Sequence, residues 1–196
     1  DRLGLDQLNS TFKDIKNLPI DKETKQLTNL PIFIVGDAAP DAPIQHEAAH
    51  TGKQVVHNCV NYPNVKPITA LTPLAIVFCH PEMAIIGKSF KQLEDQQIEF
   101  IRGFVSYENQ GRALVLAENS GGIEVYIDKK SGKLLGAELF CSQAEHLAHL
   151  LAWMIDADQD IHQILKKPFY HPTLEEGLRT AFKHARRQFD ALQEQS

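Results

Sequence analysis

The sequence predicts an α+β fold, an antiparallel β-sheet with helices, on three observations. From about Thr72, short β-rich runs are separated by the hairpin-type turns Asn109-Gln110-Gly111, Asn119-Ser120-Gly121-Gly122 and Lys130-Ser131-Gly132. From Ser142 onward the apolar residues fall at helical spacing instead. Strands followed by helices, rather than alternating with them, give an α+β domain. We assign that domain to residues 70–196 and treat residues 1–69 as a separate segment.

The elements follow in order. Residues 1–30 are polar and carry little structural signal. Leu30-Pro31-Ile32-Phe33-Ile34-Val35-Gly36-Asp37 reads as a buried strand meeting a ligand-facing loop, which Asp41-Ala42-Pro43 continues. Residues 44–62 read as a helix, with Ile44, Ala48, Gly52, Val55, Val56 and Cys59 at helical spacing and Asn61-Tyr62-Pro63-Asn64 as its stop. Ala75–Cys79 and Met83–Ile86 are expected as strands around Pro81, and Ser89–Asp95 as a short helix. Ile98–Val105, Ala113–Ala117, Ile123–Ile127 and Leu134–Phe140 are expected as strands. Ser142–Ala157 reads as an amphipathic helix capped by Ser142. Helices at Asp160–Lys167, ended by Pro168, and at Leu174–Gln193 complete the chain.

Composition narrows the function. Of 196 residues, 43% are hydrophobic and 23% charged, which is ordinary for a globular protein. The net charge of −5, with acidic and basic residues mixed throughout, lacks the concentrated basic face that nucleic acid or an anionic membrane requires. No apolar run approaches the roughly 20 residues of a spanning helix; the longest, Leu147–Ile155, is interrupted by His149. Cys59, Cys79 and Cys141 form no closely spaced pair. They are expected as buried reduced thiols, which fits a cytoplasmic compartment. The first residues, Asp1-Arg2-Leu3-Gly4, are polar and not led by Met. We therefore expect no signal peptide, and a piece of a longer or processed chain.

Three groups of histidines compete as sites. His46-Glu47-Ala48-Ala49-His50 is a formal HExxH, whose histidines share a helix face able to grip zinc. A longer zinc-protease pattern would need Gly at 53 and His at 56, where this chain has Lys53 and Val56. His57 is turned off the ligand face, and no metal is assigned. His146 and His149, beside Glu145, are read as the polar edge of a core-facing helix. The third group is Tyr170-His171-Pro172-Thr173-Leu174-Glu175-Glu176. Pro168 and Pro172 pin the backbone, so His171 is presented from a turn directly before a helix. Thr173 is placed to cap that helix, and Glu176 falls where it can reach back to the imidazole. A carboxylate on one ring nitrogen fixes the tautomer and leaves the other nitrogen to exchange protons, as in a general acid/base. Spacing alone leaves this reading level with a plain capping turn that carries a surface histidine.

IFIVGDAA, FCHPEMAIIGKS and HPTLEE together, in this order, resemble the flavoprotein disulfide reductases, the family of dihydrolipoamide dehydrogenase and glutathione reductase. The resemblance runs from near residue 1 to about 185 and is nearest to the lipoamide enzymes. It implies that residues 1–69 are the C-terminal segment of an α/β FAD-binding domain and that residues 70–196 are the dimerisation domain. It also implies FAD as cofactor and NAD as co-substrate. Asp37 matches the acidic residue on the ribityl chain of FAD, and Ile44-Gln45-His46 the helix start beside the flavin pyrimidine. A helix N-terminus suits partial negative charge there. His171 matches the acid/base for a dithiol substrate, working in the partner subunit's active site, and Glu176 its orienting carboxylate. The implied partners are a second copy of the chain and a dithiol, with a lipoyl domain of a 2-oxoacid dehydrogenase complex as one source. GxGxxG, the redox-active cysteine pair and an NAD domain are not in these residues. Phe169 stands where lipoamide enzymes often carry a second histidine, and Gln45 where Ala is common. The alternative is a non-catalytic dimerisation module, or a member with another thiol substrate such as glutathione. An apolar stripe of Leu147, Leu150, Leu151 and Met154 is expected to need a second copy for burial, building a homodimer from the sheet and the helices after Ser142.

Overall fold

The computed structural model describes residues 4–39 and 43–194. The loop expected at Asp41-Ala42-Pro43 lies outside them except for Pro43. The chain divides into two compact units, Asp1–Leu71 and Thr72–Ser196.

In the first unit a short helix, α1 (Leu5–Leu8), and single-turn 3-10 segments gather Leu5, Phe12, Leu18 and Leu27 into a small core. Ile20, Leu30, Ile32 and Ile34 pack against it. The run Leu30–Asp37 is not the expected strand. Its one ladder contact among the described residues is the bridge between Gln26 and Phe33, after which the chain tightens into a 3-10 turn at Gly36–Ala38. A strand needs a continuous ladder for its backbone groups, and beyond that bridge the run makes no strand pairing among the described residues. The helix expected at 44–62 is α2 (Gln45–Asn61). Buried Asn58 ties its far end to the chain that follows, donating to the carbonyl of Lys66 and accepting from the Lys66 amide, both at 2.8 Å.

In the second unit the strands are β1 (Leu74–Val77), β2 (Glu82–Gly87), β3 (Phe100–Ser106), β4 (Gly122–Asp128) and β5 (Leu134–Cys141). They form one antiparallel sheet in the order β1-β2-β5-β4-β3. The α+β expectation holds. Two short helices, α3 (Phe90–Asp95) and α4 (Gly111–Leu116), interrupt the strands, and α5 (Ala144–Asp156), α6 (Ile161–Leu165) and α7 (Glu176–Gln193) follow them. Strand alternation sends Ala84, Ile86, Ile101, Ile123, Val125, Ala137 and Leu139 to one buried face. Helix α5 packs on the β1, β2 and β5 part of the sheet and α7 on β3 and β4. Gly103 lets α7 come close, since a Cβ there would stand 2.3 Å from the Ala181 carbonyl oxygen.

Four further expectations are corrected. Ala113–Ala117 is helix α4 and not a strand, because the Gln110 side chain accepts from the Ala113 amide at 2.7 Å and starts a helix there. Ser142 does not cap α5. Its hydroxyl hydrogen-bonds Glu118, Gln143 takes the left-handed conformation before the helix, and the Glu82 carboxylate accepts from the Glu145 amide at 2.9 Å. The stripe on α5 is already spent. Leu147 is 1% exposed and Leu151 0%, both packed in this chain's own core. Finally, only Cys141 is buried, whereas Cys59 and Cys79 are exposed.

The open apolar surface is on the other side of the sheet. Met83, Ile85, Phe104 and Phe140 point there and remain 43–46% exposed. Phe90 of α3 stacks against Phe100 and Tyr126 and covers only that corner. Among the described residues, no helix is long and apolar enough to cross a membrane.

Candidate active site

The turn before α7 brings the expected pair together. His171 stands 80% exposed with its Nδ1 facing both carboxylate oxygens of Glu176, at 3.0 and 3.1 Å. An ionised carboxylate only accepts, so Nδ1 carries the hydrogen and Nε2 of the neutral ring is left with its lone pair. Nε2 has no partner among the described residues. The Glu176 carboxyl is held below its usual range, first by the Thr173 amide, which donates to it at 3.2 Å, and also by the His171 ring. Partial desolvation opposes this.

Thr173 does not cap α7 with its hydroxyl, which instead donates to the Tyr170 carbonyl at 2.7 Å. The helix starts at Glu176, whose side chain turns back to the Thr173 backbone. The turn is also tied from elsewhere in the chain. Gln110 Nε2 donates to the Thr173 carbonyl and the Tyr107 hydroxyl to the Leu174 carbonyl, each at 2.7 Å. Neither residue stands out in the sequence as part of a site. No local spacing signals them, since they lie 63 and 67 residues from their partners.

In the first unit, the 3-10 turn carrying Asp37 packs against α2. Gly36 takes the left-handed conformation at φ 63° before it. Asp37 is exposed and its carboxylate makes no hydrogen bond to the described residues. Ile44 stands at the N-cap of α2 and offers no side-chain acceptor, so the first-turn amides beside Gln45 and His46 receive no side-chain cap among the described residues. The HExxH residues are not gathered into a metal site. His50 Nε2 lies 2.8 Å from the Thr69 carbonyl oxygen and is engaged there. Among the described residues no three His, Cys, Asp or Glu side chains are grouped to hold a metal. His146 and His149 lie exposed on α5, the latter with Nδ1 at 2.7 Å from the Glu145 carbonyl.

Residues 74–182 match the pyridine nucleotide-disulphide oxidoreductase dimerisation domain. The chain belongs to this family. Among its relatives, the dihydrolipoyl dehydrogenase of Geobacillus stearothermophilus is 28% identical over 177 residues, covering 90% of this chain and 37% of that protein. LpdA from Mycobacterium tuberculosis has a similar fold at a TM-score of 0.72 and 19% identity, over 87% of this chain and 36% of that one. The Cu(II) complex of the flavoprotein disulfide reductase RclA from Escherichia coli matches at a TM-score of 0.70 and 18% identity, over 85% of this chain and 39% of that one. The chain thus spans under two-fifths of the length of these relatives.

Proposed function

We propose that this chain is the C-terminal part of a flavoprotein that oxidises a dithiol, dihydrolipoamide in the first instance, and passes the electrons through a redox disulfide and FAD to NAD. On this reading residues 1–69 complete the FAD-binding domain, residues 70–196 pair with a second copy, and the protein works in the cytoplasm. The observation that carries it is the His171–Glu176 pair, presented from a tied-down turn with Nε2 free. Nε2 takes the proton of a substrate thiol, since the thiolate and not the thiol is the nucleophile. Glu176 holds the ring in the needed tautomer and stabilises the imidazolium that forms. The dimer reading is supported by the open apolar sheet face on Met83, Ile85, Phe104 and Phe140.

The residues of the first unit fit FAD. Exposed Asp37 can accept from ribityl hydroxyls, and the uncapped amides at Ile44, Gln45 and His46 suit the pyrimidine oxygen. When bound, the flavin supplies the two-electron acceptor for the reduced disulfide.

The test uses the native polypeptide with whatever sequence precedes residue 1. This reading expects an N-terminal GxGxxG followed by a CxxxxC pair. It also expects His171→Ala to lower dithiol oxidation about 10²–10⁴-fold while NADH still reduces the flavin. Mixing that variant with one lacking the redox cysteines should restore part of the activity through the one intact site of each mixed dimer. Full dithiol activity in His171→Ala would overturn the assignment.

A further inference from the structure

We propose that Tyr107 and Gln110, from the connection between β3 and α4, are positioning residues that hold Glu176 against His171 by fastening the backbone of Thr173 and Leu174. The inference rests on the acid/base reading of His171, which neither residue touches. Two features of the turn motivate it. Its tip stands in solvent, with Tyr170 82% and His171 80% exposed, so the tip has little packing of its own. Its base is anchored by Leu174, which is 5% exposed, and by the two side-chain donors from the β3–α4 connection.

The two anchors act through one short path. Gln110 spends both ends of its amide, Oε1 accepting from the Ala113 amide and Nε2 donating to the Thr173 carbonyl, each at 2.7 Å. Its orientation is thereby set from the α4 side. The amide of the same Thr173 donates to Glu176, whose carboxylate faces His171 Nδ1. Tyr107 is fully buried, and its hydroxyl donates to the next carbonyl, that of Leu174. Burial drives the phenol far above its usual pKa, so the hydroxyl keeps its proton and stays a donor. The ring also lies against Gly177 in the first turn of α7, where an added Cβ would stand 2.5 Å from the hydroxyl oxygen. The strand end thus holds both sides of the turn, the carbonyls of Thr173 and Leu174 and the start of the helix that carries Glu176. With these donors gone, the Thr173–Leu174 and Leu174–Glu175 peptides lose their anchors, and backbone rotation about Thr173 can shift the neighbouring amide that holds the Glu176 carboxylate. Displacements of about 1 Å at a reacting group are enough to matter.

Two near-isosteric variants of this chain separate positioning from bulk stability. Gln110→Glu keeps an oxygen to cap α4 but loses the donor to Thr173. Tyr107→Phe keeps the ring and loses the donor to Leu174. The readouts are the ¹⁵N spectrum of the His171 ring, which reports its tautomer, and the ¹³C titration of the Glu176 carboxyl. Wild type should show the Nδ1–H tautomer. In each variant the tautomer ratio should move toward that of free imidazole, by up to about tenfold for a hydrogen bond to a charged acceptor. The Glu176 titration should climb toward the ordinary carboxyl range. Wild-type tautomer and titration in either folded variant would overturn the assignment of that residue. If one variant fails to fold, the other still decides for its own donor, and Gln110→Asn supplies a shorter donor at position 110. Failure of the functional reading is a separate result, full dithiol turnover in His171→Ala, and it leaves these spectra unchanged.

Discussion

Gly177→Ala sets two effects of opposite sign against each other at the base of the His171 turn. Gly177 is the second residue of α7, and Ala in place of Gly within an exposed helix stabilises by about 1 kcal/mol. Here the added Cβ would lie 2.5 Å from the Tyr107 hydroxyl oxygen and 2.7 and 2.8 Å from two ring carbons. Carbon atoms pack at about 3.5–4.0 Å, so ring or helix must yield by roughly 1 Å. The Tyr107 ring is 0% exposed and has no open side to swing toward. Overpacking of this kind costs about 1–3 kcal/mol. Displacing the ring also strains the hydroxyl bond to the Leu174 carbonyl, and two buried groups left mismatched cost about 1–3 kcal/mol more. Against the helix gain, the net expectation is a loss of about 1–5 kcal/mol, with a midpoint near 3 kcal/mol that corresponds to on the order of 10 °C in Tm for a domain of this size. The single tryptophan, Trp153, lies on α5 of the same unit and reports its unfolding in urea. Gly111→Ala is the control, because no atom lies within 4 Å of its added Cβ; its midpoint should match or slightly exceed wild type. In a Tyr107→Phe background the nearest atom is gone, so Gly177→Ala should cost less there by at least about 0.5 kcal/mol. A Gly177→Ala protein as stable as wild type, which helix propensity alone would give, refutes the packing argument.

Other outcomes follow from the same structure. A thiol reagent should modify Cys59 and Cys79 in the native chain and reach Cys141 only on unfolding, because Cys141 is buried and burial pushes its thiol up to about 12; prompt native labelling at all three would contradict this. The Glu176 carboxyl titrates lower in the folded chain than in the unfolded one, so its stabilisation is present above the unfolded value near 4.5 and is lost as pH falls through the folded value. Urea midpoints measured from about pH 6 down to about pH 3 should therefore fall less steeply in Glu176→Gln than in wild type, and equal slopes would remove Glu176 from the turn's energetics. Phe140→Glu, on the open sheet face, should weaken self-association about 100-fold through lost apolar contact and a buried charge in each copy. Sedimentation equilibrium reads that shift, and undiminished dimer would move the interface elsewhere.

How much the sequence discloses depends on how far apart the interacting residues lie. The sheet is legible because its turns are local and its strands alternate. The starts of the helices expected at Ser89–Asp95 and Asp160–Lys167 are legible for the same reason: Ser89 and Asp160 accept from amides two or three residues on. Ala113–Ala117 reads wrongly as a strand because a five-residue apolar run has no decisive period, and the choice falls to the cap that Gln110 supplies. Ser142 reads wrongly as a cap because a carboxylate from β2, Glu82, takes over the helix start. The His171–Glu176 pair is readable since its members lie five positions apart and Pro172 stands in the turn between them. Tyr107 and Gln110 are not, because their partners are brought to them only when β3 and α7 pack together. The open face is hidden by the composition of β2 itself. In Glu82–Gly87 the apolar residues fill both alternations, Ala84 and Ile86 under the helices and Met83 and Ile85 outside. Such a run reads as a strand buried on both sides. Among the described residues of the second unit, helices cover one side, and the other is the apolar face on which we propose that a second copy lies.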